Sequence, residues 1–444
     1  MQGYRPVFAW ALMTLSVGAY LGLAISTQNV ATKRVFLPGT TTHGHYQIEL
    51  ACNACHEDFN GVRQDACTDC HGADLKRDKD THPASKFNDP TNADRLAVLD
   101  AQKCTTCHRE HVPNRTGAMG LSLPVDYCFH CHSSVADQRP SHKGMKHDSC
   151  QSAGCHNYHD NQALYESFLF KNVDQADLLV DPKNPHRLVA TDNSDLQLHA
   201  SDADAPIDLL LRPIVEDWEN SIHARDGVNC RDCHDVTSED ERDRTWVNQI
   251  GVNSCKRCHE GEAKSFMNGR HGMRLAVGLS PMAVSDARLP MHHESSHKTV
   301  GCSACHTPHR YDTKFAAADA CISCHADQHS LNYVSSKHFE LWQAELSGNA
   351  PHGSGVSCAT CHLPRAEVDG EIVVEHNQNN NLRPNEKMIR SVCMNCHGLE
   401  FSLNALADPD LVKNCFAGQP SVNIDSAQMA KRWFEEKESK RQKK

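Results

Sequence analysis

The sequence predicts a mostly α-helical chain with much irregular loop and one N-terminal transmembrane helix. Three observations predict it. Eleven cysteine pairs are each closed by a histidine, a run of 19 residues near the N-terminus carries no charge, and the remainder is polar with only 6% aromatic residues. The cysteine pairs dominate the reading. Ten are C-x-x-C-H. Four lie in the first half: Cys52, Cys55 and His56; Cys67, Cys70 and His71; Cys104, Cys107 and His108; Cys128, Cys131 and His132. Six lie in the second: Cys230, Cys233 and His234; Cys255, Cys258 and His259; Cys302, Cys305 and His306; Cys321, Cys324 and His325; Cys358, Cys361 and His362; Cys393, Cys396 and His397. The eleventh motif, Cys150, Cys155 and His156, has four residues between its cysteines. Together they use 22 of the 23 cysteines and leave only Cys415.

C-x-x-C-H is the signature of covalent c-type haem attachment, in which two thiols bond the macrocycle and the adjacent histidine becomes an axial iron ligand. A single copy could be a dithiol or half a zinc site. Zinc ribbons, however, do not need a histidine directly after every second cysteine. Eleven haem c groups per chain leave about 40 residues for each, too few for a self-supporting segment, so a haem-dominated core is expected. Attachment of this kind belongs outside the cytoplasm, and the motif cysteines are not a disulfide framework. A net charge of −11 argues against nucleic acid as partner. It suits other redox proteins with basic surfaces, or is simply a solvated acidic exterior.

Taken in order, residues 1–34 are a membrane anchor or a signal peptide. The apolar run 7–25 (VFAWALMTLSVGAYLGLAI) is long enough to cross a bilayer and to meet inner-membrane lipid. A signal-peptide apolar core is shorter and ends at a small-residue site, of which Ala24-Ile25-Ser26 is a poor version. An uncleaved anchor is therefore favoured, with the haem domains in the periplasm. Gly18-x-x-x-Gly22 would let two such helices approach, which keeps a homo-oligomer open. Residues 35–160 hold five motifs at intervals too short for long helices. Residues 161–222 lack cysteine and read as a helical join, with helical rhythm in 161–180, a loop rich in Pro, Asn, Asp and Ser over 181–205, and a second helix near 208–222. Residues 223–400 hold six motifs at wider spacing, and Glu371–Val374 is the one visible strand. Residues 401–444 read as a helical tail, solvated at its basic end, and Cys415 as a buried apolar residue.

Thirty-one histidines less eleven motif histidines leave twenty for the second axial positions, so supply is no constraint. Candidates for these distal positions are His45, His111, His142, His159, His223, His271, His297, His309, His329 and His352. His111, His159, His309 and His329 lie three or four residues after a motif histidine. Such a residue cannot pass under its own macrocycle, so a neighbouring haem is its destination. His45, His223, His297 and His352 precede motifs at short range. His292, His293, His338 and His376 are further candidates, and His43, His82, His130 and His147 are spare histidines of the first half.

The dense motifs, the mixed spacers and the run T-T-H-G-H-Y-Q-I-E-L-A-C-N-A-C-H make residues 40–165 resemble the class III (cytochrome c3-like) multihaem cytochromes. That resemblance implies bis-histidine irons and low-potential electron transfer. Residues 223–400 resemble the hydroxylamine oxidoreductase and cytochrome c nitrite reductase superfamily. The likeness rests on S-F-M-N-G-R-H-G (265–272), M-H-H-E-S-S-H-K (291–298) and G-V-S-C-A-T-C-H-L-P-R (355–365). Two departures matter: there is no C-x-x-C-K, and no tyrosine follows Tyr333. Two functions follow. The favoured one is a membrane-anchored relay of electrons through mostly bis-histidine haems, between the membrane quinol side and periplasmic or outer partners. The alternative is an oxidoreductase with one open haem in 223–400 acting on a small nitrogen or sulfur compound such as nitrite or hydroxylamine. Arg270, His271, His292 and His293 would then lie at the substrate.

Overall fold

The computed structural model describes residues 5–26, 33–57, 60–79, 82, 87–124, 126–139, 142–144, 157–160, 165–182, 184–185, 194–237, 244–368, 370–382 and 384–443. Among them the architecture is helical with little sheet. The α-helices of seven or more residues are α1 (Arg5–Ser26), α2 (Gln64–Asp78), α3 (Glu166–Asn172), α4 (Arg212–Glu219), α5 (Glu260–Asn268), α6 (Lys337–Leu346), α7 (Leu399–Ala407) and α8 (Asp425–Gln442). Between them run single turns of helix, many of which are the motifs themselves: Cys104–Cys107, Cys230–His234, Cys302–Cys305 and Cys358–His362 are each one short helix. A single turn presents both thiols and the histidine on one side of the backbone, which is why the motif is local and its helix need not continue.

Helix α1 contains Pro6–Ala24, 19 residues long and apolar enough to cross a membrane. Phe8, Trp10, Leu12 and Leu15 on it are exposed.

Among the described residues there are three two-stranded antiparallel ladders. β1 (His56–Glu57) pairs with β2 (Gly61–Val62), β3 (Asp235–Thr237) with β4 (Arg244–Trp246), and β5 (Arg365–Val368) with β6 (Glu371–Val374). Glu371–Val374 is the strand the sequence shows. The other two ladders are invisible in it because strands of two or three residues have no alternation to read.

Chain contacts divide the molecule into two compact units, 1–69 with 90–124, and 70–89 with 125–444. These boundaries differ from the 35–160 and 223–400 modules that motif spacing suggests. In the first unit few apolar side chains are buried, Leu50, Ala51 and Ala66 among them. The second unit has two apolar clusters among its described residues. One joins α3, α7 and α8 through Leu169, Ile389, Leu399, Leu403, Ala427 and Ala430, with Trp433 and Phe434 packed on its edge. The first half of the C-terminal tail is thus core, while its basic end is exposed, and the haem-free stretch supplies a packing partner for it. The other cluster gathers Ala317, Ala318, Tyr333, Trp342 and Cys415, so the odd cysteine is buried.

Candidate functional site: facing histidine pairs

The attachment motifs of the first half sit on varied local structure. Cys52 opens a single 3-10 turn, Cys55 closes it by donating its N–H to the Cys52 carbonyl, and His56 begins β1. Cys67, Cys70 and His71 all lie on α2, where Cys70 and His71 are exposed. Cys128, Cys131 and His132 lie on the short helix Tyr127–His132, with both thiols half-buried. The wide-spaced motif Cys150, Cys155 and His156 lies outside the described residues, as does His147.

Many motif histidines do not stand alone. Among the described residues, eight of them face a second imidazole. In the first unit His56 faces His111, with ring centres 6.3 Å apart. In the second unit the pairs are His132 with His82 at 6.1 Å, His234 with His309 at 6.0 Å, and His259 with His223 at 6.1 Å. They continue with His306 and His376 at 6.4 Å, His325 and His271 at 6.3 Å, His362 and His329 at 6.1 Å, and His397 and His338 at 6.3 Å. The spacing has a chemical meaning. A metal–imidazole bond is about 2.0 Å and the ring centre lies about 1.1 Å behind the bonded nitrogen, so two rings on opposite sides of one metal stand about 6.2 Å apart. Imidazoles in van der Waals stacking would be closer, and unrelated ones would scatter.

The rings are also oriented for it. The Nδ1–H groups of His111, His82, His234, His329, His376 and His397 donate to the carbonyls of Gly39 (2.8 Å), Tyr158 (2.9 Å), Val247 (2.6 Å), Val412 (2.6 Å), Val374 (2.9 Å) and Asp177 (3.0 Å). A carbonyl only accepts, so Nδ1 carries the proton and Nε2 keeps its lone pair for a metal. Gly39 has to be glycine for this: a Cβ there would lie 2.5 Å from the His111 carbonyl oxygen. Gly398 has the same role beside the last motif, where a Cβ would collide with the Ala176 carbonyl. In three of the rings the surroundings also favour the neutral form that ligation requires. Burial first, and the facing imidazole second, push the pKa values of His271, His338 and His362 down to about 4.

Local structure explains how five of the facing rings arrive. His111 and His309 have left-handed backbones, with φ of 62° and 65°. That turn aims each ring away from its own motif and toward His56 or His234. Asp327 caps the helix Gln328–Tyr333 that carries His329, and Ser336 caps α6, which carries His338 in its first turn. The β5–β6 hairpin delivers His376, whose backbone N–H donates to Ser265 Oγ at 2.9 Å on α5.

Of the sequence candidates, His111, His223, His271, His309 and His329 face motif histidines. His45 lies near His108, whose pKa is lowered by burial and, less, by His45 itself. His45 Nδ1–H donates to Glu110 at 2.7 Å, and Glu110 has its pKa lowered to about 2: burial alone would raise it, but the His45 and Thr42 hydrogen bonds prevail. His297 is exposed, and His352 is exposed with its Nδ1 3.0 Å from Glu345 Oε1. The rings opposite His306 and His397 are instead His376 and His338. Short range before a motif misleads here, because Glu345 also accepts from the Gly353 and Gly355 N–H groups and ties the His352 loop to α6. His338 and His376 are among the further candidates and His82 among the spare histidines, but all three follow their nearest preceding motif histidines at no fixed offset, so spacing does not say which motif each one faces. His142 and His159 are half-buried. Of the groups expected around an open iron, His271 faces His325, and Arg270 Nε donates to Asn379 Oδ1 at 3.4 Å.

The thiols add an order. Cys233 lies beside Cys255 and Cys258, and Cys255 is within hydrogen-bond reach of Cys302. Cys305 lies beside Cys321 and Cys324, Cys321 within reach of Cys358, and Cys361 beside Cys393 and Cys396. The six motifs of 223–400 therefore neighbour one another in chain order. In the first unit Cys67 meets Cys104 in the same way, with Cys55 also close enough to raise its pKa. Among the described residues no cluster of three or more His, Cys, Asp or Glu side chains could hold a bare metal ion. Paired imidazoles beside paired thiols fit haem c, and among those residues no zinc site competes with it.

Comparison with known proteins agrees. Residues 44–133 match the cytochrome c3 family, and residues 328–408 match the cytochrome c552 family. Cytochrome c-552 of Haemophilus ducreyi is 26% identical over 174 residues, covering 34% of this chain and 32% of the relative, so the match spans about a third of that protein. No solved structure matches the chain. The motifs, the facing imidazoles and these two partial matches together support a multihaem cytochrome c, similar to the cytochrome c3 family over residues 44–133 and to the cytochrome c552 family over residues 328–408.

Proposed function

We propose that this protein is a membrane-anchored undecahaem cytochrome that relays electrons between the membrane quinol side and periplasmic or outer redox partners. The 22 motif cysteines would hold eleven haems, and the eleven motif histidines, His71 and His156 included, would be their proximal ligands. His82, His111, His223, His271, His309, His329, His338 and His376 would complete eight irons, and His45 a ninth opposite His108. Bound haem supplies reversible one-electron iron chemistry, with a potential set by its ligands and their surroundings. The chain's own paired histidines would hold each of these irons from two sides, six of the rings oriented by an Nδ1–H bond to a backbone carbonyl, and would leave no place for substrate at the metal.

One observation carries this reading over the enzymatic one: all six motif histidines in 223–400 face a second histidine at metal-bridging distance. An iron closed on both sides changes charge without binding nitrite or hydroxylamine. The contiguity of the six motifs supports a relay as well, since close macrocycles exchange electrons. The apolar run 7–25 supports anchoring in the inner membrane, and the acidic exterior supports docking of a basic partner.

Electron paramagnetic resonance of the fully oxidised protein, with and without nitrite or hydroxylamine, tests the proposal. Low-spin ferric signals indifferent to both compounds are expected. A high-spin ferric component that shifts with either would replace the relay by an enzyme.

A further inference from the structure

The facing imidazoles differ in one respect that spacing does not describe: the angle between ring planes. In the 223–400 module, His234 and His309 are 9° apart, close to parallel. His306 with His376 stand at 37° and His325 with His271 at 47°. His259 with His223, His362 with His329 and His397 with His338 are crossed, at 76°, 73° and 71°. The near-parallel pair has a third layer. Trp246 lies flat on His234, with ring centres 4.6 Å apart and planes 9° apart.

The β3–β4 hairpin builds this stack. Its register sets Trp246 opposite Asp235, directly after His234. The Val247 N–H donates to the His234 carbonyl at 2.9 Å, and the His234 Nδ1–H donates to the Val247 carbonyl at 2.6 Å. The indole is fixed in turn, its Nε1–H donating to Asn248 Oδ1 at 2.8 Å. One hydrogen bond through Nδ1 locates an imidazole but leaves it free to rock about the Nδ1···O line. A flat ring laid on its face removes that freedom. Trp246 is only half-buried and carries no thiol or ligand, so the apolar clusters do not depend on it.

We propose that Trp246 is a positioning residue. It holds His234 parallel to His309, and so makes the haem fastened by Cys230 and Cys233 the lowest-potential member that ligand orientation can produce in this module. The electronic reason is general. Each imidazole π orbital raises the iron dπ orbital it overlaps. Two parallel rings raise the same one, separate it from its partner and stabilise the ferric hole placed there. Two crossed rings raise one orbital each and remove that stabilisation. Parallel pairs therefore favour the ferric state and give a rhombic spectrum, while crossed pairs give a strongly anisotropic low-field line.

The proposal rests on the bis-histidine reading above, and the test separates the two. Oxidised Trp246→Leu, which keeps an apolar cover without a flat face, is compared with Trp246→Phe by electron paramagnetic resonance with spin quantitation and by redox titration. Expected for Trp246→Leu is the loss of one haem-equivalent of the most rhombic low-spin component, its reappearance at lower field, and a rise in one midpoint potential, with total haem unchanged. Trp246→Phe restores the original component. Rhombic intensity unchanged in Trp246→Leu overturns the positioning role and leaves the bis-histidine reading intact. His309→Met examines that reading separately: one bis-histidine component should give way to a histidine–methionine one, and an unaltered spectrum would overturn the pairing and with it the role of Trp246. A Trp246→Leu protein that lost one haem would make Trp246 a structural cover, which also overturns the proposal.

Discussion

At the scale of single residues, each histidine of a pair uses its two nitrogens differently. In His329, Nδ1 donates to the Val412 carbonyl, Nε2 lies 4.0 Å from Cys415 Sγ, and the ring centre stands 6.1 Å from that of His362. Removing the ring should leave one coordination position vacant at the cost of the bond to Val412, while the helix cap at Asp327, which does not involve the ring, stays in place. For His329→Ala we expect one haem-equivalent of high-spin ferric signal and carbon monoxide binding by one ferrous haem per chain, both absent in the parent protein. Optical titration with carbon monoxide measures it, and no gain in binding would refute the His329–His362 pairing. Asp408 offers a different test. It caps the helix Pro409–Lys413 and also accepts from the backbone and hydroxyl of Ser421, hydrogen bonds that pull its pKa down to about 2. A depressed carboxylate stabilises the fold fully above its ordinary pKa of about 4 and loses that contribution as pH falls through its folded value. The stability gap between Asp408→Asn and the parent should therefore be largest near neutral pH and narrow between about pH 4 and 2. Thermal unfolding across that range reads it, and a gap independent of pH would refute the cap's ionic character.

Among the elements, the helices fall into two kinds. Many motif turns and helices that carry a facing histidine are short, and bound haem would stabilise them through covalent attachment and ligation more than packing does. Helices α3, α7 and α8 are held by ordinary apolar burial, and Ile389, fully buried among them, is the side chain that tests it. Truncation by Ile389→Ala should cost about 2–5 kcal/mol. It should lower the thermal midpoint without changing haem content, since Ile389 carries no ligand. Haem loss in this variant would mean that the cluster and the attachment sites fold as one. The helix content, the strand Glu371–Val374 and the buried Cys415 were legible in the sequence. The β3–β4 pairing that brings Trp246 to His234 was not, because two strands of three residues each carry no alternation to read.

For the whole molecule the expectations are stoichiometric and topological. A pyridine haemochrome assay should give eleven haems per chain, and a much lower count would remove the scaffold on which the rest depends. Replacing residues 1–26 by a cleavable export signal should move the protein from the membrane fraction to the soluble one with its haem count unchanged. If it stays with the membrane, α1 is not the anchor. With a net charge of −11, association with a basic redox partner should slow as ionic strength rises, because screening shortens the reach of the charges. A rate indifferent to salt would argue for apolar docking instead.

The chain by itself determined where the motifs for macrocycle attachment lie, since two thiols and a histidine within five or seven residues need no tertiary structure to be recognised. It also raised the expectation that histidines three or four residues past a motif face the histidine of some other motif. Only the folded molecule decided which. His309 meets His234, His329 meets His362 and His338 meets His397 through turns, hairpins and helix caps, and such contacts have no fixed sequence offset. The same holds for the order of the six motifs and for the angle at which each pair of rings meets. Attachment is a local covalent property, whereas ligation from the far side needs a second strand of chain, and its position is set by packing.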